Sequence, residues 1–181
     1  MTSAKNDLLL LAGKTLTLLI QGIMGLATAV IAVTVIGVLL LQGQINQEII
    51  AEYGADAVAL PVGSILWLLG VVLALCALVF MFFGKLRGII NTVAEGDPFV
   101  PENADRLAAM GWLQIGVYLL GLAAAPAAAL AAEWASQFTD VEISGSIDVD
   151  VPAVLLILVL FILARVFRHG AAMREDLEGT V

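Results

Sequence analysis

Charge is scarce in this sequence. Only 13% of its 181 residues are Asp, Glu, Lys or Arg, against about 25% in an average globular chain. That deficit argues against a soluble domain with a solvated surface. Cysteine is nearly absent as well. The single Cys76 excludes an internal disulfide and a CxxC redox pair. It lies within an apolar run and reads as a small buried hydrophobe. The single histidine, His169, excludes a bis-histidine haem site or a histidine-rich metal site. No nucleophile–base–acid constellation is present, so neither catalysis nor a cofactor nor a metal is expected. A basic recognition helix is also missing, which argues against direct nucleic-acid binding.

What is present is apolar sequence in long runs. Hydrophobic residues make up 61% of the chain and its mean hydropathy is +1.04. A helix needs roughly 20 apolar residues to cross a bilayer. Four segments meet that need, at about 16–41, 62–83, 112–132 and 151–167. The first run is too long for a signal-peptide core of roughly 7–15 residues, so it reads as a retained span. The predicted fold class is an all-α membrane protein, a four-helix bundle forming a single transmembrane domain over residues 1–181. Arg165, near the end of the fourth run, can snorkel its head to the interface.

The cations set an expected orientation. Lys5 and Lys14 precede the first span. Lys85, Arg87 and Arg106 lie between the second and third, and Arg165, Arg168 and Arg174 end the chain. Those are all eight basic residues; the segments 42–61 and 133–150 hold none. By the positive-inside rule, both termini and the middle loop are cytoplasmic. The sixteen carboxylates divide evenly between the two sides, so the formal charge of −8 falls on the outer one.

The middle loop reads "GKLRGIINTVAEGDPFVPENADRL". Leu86, Ile89, Ile90 and Val93 form the i, i+3, i+4, i+7 stripe of a short amphipathic cytoplasmic helix. It is expected along the membrane surface or against the cytoplasmic ends of the bundle. Gly96 is a natural left-handed helix stop. Asp97-Pro98 forces a turn, and Phe99 is the one large apolar side chain available to anchor it. Pro101 suits the first position of a new helix and Glu102 its positive end. The candidate docking residues are Asp97, Phe99, Glu102 and Asp105, with Arg165 and Arg168 as ionic partners for the acids. Anionic lipid headgroups are the alternative partner for those arginines.

On the outer side, residues 140–150 alternate apolar and acidic about Gly145, which predicts a small β-hairpin. Its carboxylates read as a hydrated face, with a bound cation as the alternative. Residues 44–53 are expected to form a separate interfacial helix. Within the spans there is no acid or histidine, which argues against ion-coupled transport. Gln21 and Gln114 are the candidates for polar contacts between helices. Small residues on several faces permit close packing, and Pro126 is expected to kink the third span.

The segments "GDPFVPENADRLAAMGW" and "ILARVFRHGAAMREDLEGTV" resemble the bacterial DUF2975 family of small four-span membrane proteins, as does "SIDVDVP". The resemblance runs from about Lys85 to Val181. It departs from the family pattern at Val100, where Ser or Thr is usual, and in the tail "EDLEGTV". The resemblance implies a location in the bacterial cytoplasmic (inner) membrane. Members are often encoded beside a small helix-turn-helix regulator, which implies a cytoplasmic transcriptional regulator as partner. Three functions stay open: a sensor or regulatory partner, a binder of lipid or another apolar ligand in the bundle, and a structural homo-oligomer.

Overall fold

The computed structural model describes residues 3–54, 58–138 and 150–178. They form four helices: α1 (Ser3–Tyr53), α2 (Val62–Ala94), α3 (Pro101–Ala135) and α4 (Val151–Glu178). No strand occurs among the described residues. The expected hairpin at 140–150 lies almost wholly outside them. All four helices are long and apolar enough to cross a membrane.

The helices overrun the predicted spans because the glycines that follow the first two runs, Gly43 and Gly84, remain helical and no proline intervenes. With 51 residues, α1 rises about 75 Å, while a hydrocarbon core is only ~30 Å thick. The expected separate helix at 44–53 is therefore the last part of α1. The expected short amphipathic helix before the 96–101 turn is likewise the end of α2, continuous with the second apolar run. Gly84 and Gly88 are the weakest helix formers there, and isolated glycines cost a helix about 1 kcal/mol each without ending it. α3 continues through Pro126 to Ala135 without a break.

The stops are local and chemical. Gly54 (φ 95°) ends α1, its N–H donating to the Ile50 carbonyl at 3.0 Å. Gly96 (φ 84°) ends α2 in a Schellman arrangement. There the Gly96 N–H donates to Val93 at 3.1 Å and the Asp97 N–H to Thr92 at 2.9 Å. Asp150 caps α4 by accepting the Ala153 N–H at 3.2 Å.

The contacts define two compact units. One comprises Met1–Gly25, Ala77–Val117 and Val149–Val181. Its core is Leu107, Met110, Leu160 and Ala164, with Phe82, Leu86, Ile89 and Phe167 against it. Gly111 lets the Phe161 ring come so near that a Cβ would meet it at 2.9 Å. Gly13 of α1 similarly faces Ile90 of α2.

The other unit comprises Leu26–Cys76 and Tyr118–Asp148. Ile31, Val71, Cys76 and Ala127 are buried in it. Here indoles bind exposed backbone. Trp134 Nε1 donates to the Val58 carbonyl at 3.0 Å, and Asn46 accepts the Leu60 N–H at 2.9 Å. Trp67 Nε1 donates to the Ala123 carbonyl at 2.9 Å, next along from the carbonyl that Pro126 deprives of its helical donor.

Candidate functional site

The candidate site is built on the 95–101 turn and the C-terminal half of α4. Its foundation is Asn103, which has no exposed surface. Its Nδ2 donates to Thr92 Oγ1 at 2.7 Å and to the Pro98 carbonyl at 2.9 Å. Its Oδ1 accepts from Arg106 at 2.7 Å. Thr92 in turn donates to the Ile89 carbonyl at 2.9 Å. Arg106 reaches on to the Gly88 carbonyl at 3.4 Å. That approach needs glycine, because a Cβ at 88 would meet Arg106 Nε at 2.9 Å. One side chain thus binds the end of α2, the turn and the first turns of α3. All of its polar atoms are used, as burial of an amide requires.

Phe99 projects from this fixed turn onto α4. Its ring packs on Phe167 at a centroid distance of 5.3 Å. A Cβ at Gly170 would meet Phe99 Cδ1 at 2.7 Å, so only glycine admits this seat. Two ion pairs flank it. Arg168 meets Asp105 at 3.2 Å, and Arg174 meets Asp97. Both pairs are solvent-exposed, where such contacts contribute about 0–1 kcal/mol, so they orient the surface more than they stabilise it.

The sequence expectation placed Arg165 and Arg168 opposite the acids. Arg168 does pair with Asp105, but Asp97 meets Arg174, a cation the sequence reading had not singled out. Arg165 instead borders a groove of about 690 Å³. Phe99, Ile162, Val166, Gly170 and Met173 line it, and Arg165 and His169 supply its polar groups. Glu102 is exposed in the first turn of α3. Gln21 Nε2 donates across helices to the Phe80 carbonyl at 3.3 Å. Gln114 has no hydrogen-bond partner among the described residues. No cluster of three or more potential metal-ligating His, Cys, Asp or Glu side chains occurs among the described residues.

Four helices of this length and hydropathy define a multi-pass integral membrane protein. The profile of the family described as "Protein of unknown function (DUF2975)" matches residues 48–181, and the chain belongs to that family. The match extends well upstream of Lys85, into the end of α1. Neither a curated protein nor a solved structure matches the chain.

Proposed function

We propose that this chain is a non-enzymatic regulatory membrane protein. Both termini and the 95–101 turn would face the cytoplasm, and the turn with the adjoining part of α4 would dock a helix-turn-helix regulator. The observation that carries this reading is the seat of Phe99 on Gly170 and Phe167. It couples a turn held by Asn103 to a helix that crosses the membrane. A shift of α4 along or about its axis would carry Phe99, Arg168 and Arg174 with it. The acids and arginines at the docking surface would then be rearranged. The cation distribution supports the cytoplasmic placement. The choice of a regulator as partner rests on the resemblance to chains encoded beside one.

A photo-reactive residue at Glu102, which is exposed in the first turn of α3, tests the reading in living cells. The expected product is a cross-link to a helix-turn-helix protein, absent when the same residue replaces the exposed Leu119. Cross-links from Glu102 only to other copies of the chain would overturn the regulatory reading in favour of a structural oligomer.

A further inference from the structure

We propose that the groove beside Phe99 binds an anionic phospholipid. An acyl chain would lie along α4 and the phosphate would meet Arg165 and His169. This goes beyond the docking proposal and does not depend on it.

The groove follows one face of α4. Ile162, Val166 and Met173, with Arg165 and His169, recur at helical spacing. Its two polar groups are set among apolar ones along that face. Ile162, Arg165 and Val166 belong to the fourth apolar run, which ends at residue 167, and His169, Gly170 and Met173 lie just beyond it. A ligand filling it would meet apolar side chains at Ile162, Val166 and Met173 and polar groups at Arg165 and His169 near the end of the run, which suits a lipid at the level of its glycerol and phosphate. The volume of about 690 Å³ falls within the ~300–1,000 Å³ usual for small-molecule sites.

Charge selects an anion. Asp105 and Asp97 are engaged by Arg168 and Arg174. Arg165 has no ion pair or hydrogen bond among the described residues. No acid lies within two turns of it on α4 in either direction. Its planar guanidinium matches a phosphate in bidentate fashion, and His169, one turn on, supplies a second donor. Among the described residues, Arg165 and His169 are the groove's only charged or titratable lining groups.

The test uses the full-length protein in nanodiscs of phosphatidylcholine, titrated with phosphatidylglycerol of the same chains and read by native mass spectrometry. Wild type is expected to retain phosphatidylglycerol selectively. Arg165→Gln should weaken that retention about tenfold, the scale of one charge-assisted contact. Phe99→Ala should weaken it too, and Arg168→Gln, whose cation is already paired, should leave it unchanged. An unaltered thermal midpoint for Arg165→Gln in pure phosphatidylcholine separates lost binding from lost folding. Inorganic phosphate should not compete at equal concentration. Equal retention of both lipids by wild type, equal loss in Arg165→Gln and Arg168→Gln, or displacement by inorganic phosphate would overturn the proposal.

Discussion

Asn103→Ala is expected to destabilise the protein by about 3 kcal/mol, the loss of several hydrogen bonds at a buried site, one of them to a charged group. The substitution strips Thr92 Oγ1 and the Pro98 carbonyl of a donor and removes the closest acceptor of Arg106. What remains for Arg106 is the longer contact to Gly88. Thr92→Val removes one arm of the same network and should cost about 1 kcal/mol. The two share a hydrogen bond, so the double variant should lose less than the sum. Thermal melts in one detergent measure all three. An Asn103→Ala protein as stable as wild type would show that the turn is held by something other than this amide.

Gly111→Leu is expected to be comparably damaging, at about 3 kcal/mol for overpacking a close contact. Gly111 lies beside the core formed by Met110 and Leu160. The Phe161 ring occupies the space a side chain would need, and that ring is in turn held edge-on by Trp112 at 5.6 Å. The ring cannot withdraw without giving up that contact. Phe161→Ala alone should also destabilise, by about 3 kcal/mol. Combined with Gly111→Leu it frees the space the leucine needs, so the pair should be less harmful than the sum by about 1–3 kcal/mol. Additive effects would mean that α3 and α4 do not meet at this glycine.

What was legible in the sequence was local. Gly96 and Pro101 mark the end of α2 and the start of α3 because each acts through its own backbone angles. The apolar runs mark the spans because a bilayer tolerates little else. The stripe Leu86, Ile89, Ile90 and Val93 was visible too, and two of its members pack on the core. Taking it as a separate helix assumed that a helix ends where its apolar run ends. Between Phe83 and Gly96 there is no proline, and Gly84 and Gly88 stay helical instead of capping. Asp150 was absorbed into an alternating pattern, although Asp-Val-Pro also fits a helix start.

The site was less legible, because its pairings depend on tertiary contacts. "ENADR" reads as a solvated first helical turn, and Asn103 is buried only because the preceding turn folds back over it. The spacing of Arg165 and Arg168 puts them on one side of a helix but says nothing of which neighbour that side meets. The rotation of α4 beneath Phe99 settles it, sending Arg168 and Arg174 to the acids and Arg165 to the groove.

The proposed function requires that the 95–101 turn and the C-terminal end of α4 face the cytoplasm. Labelling of single cysteines by a membrane-impermeant maleimide tests it most directly, in a Cys76→Ala background that removes the only native thiol. Glu102 and Glu133 are exposed near opposite ends of α3. Glu133→Cys is expected to be labelled in intact cells and Glu102→Cys only after the membrane is permeabilised. Labelling of Glu102→Cys in intact cells, with Glu133→Cys protected, would contradict it.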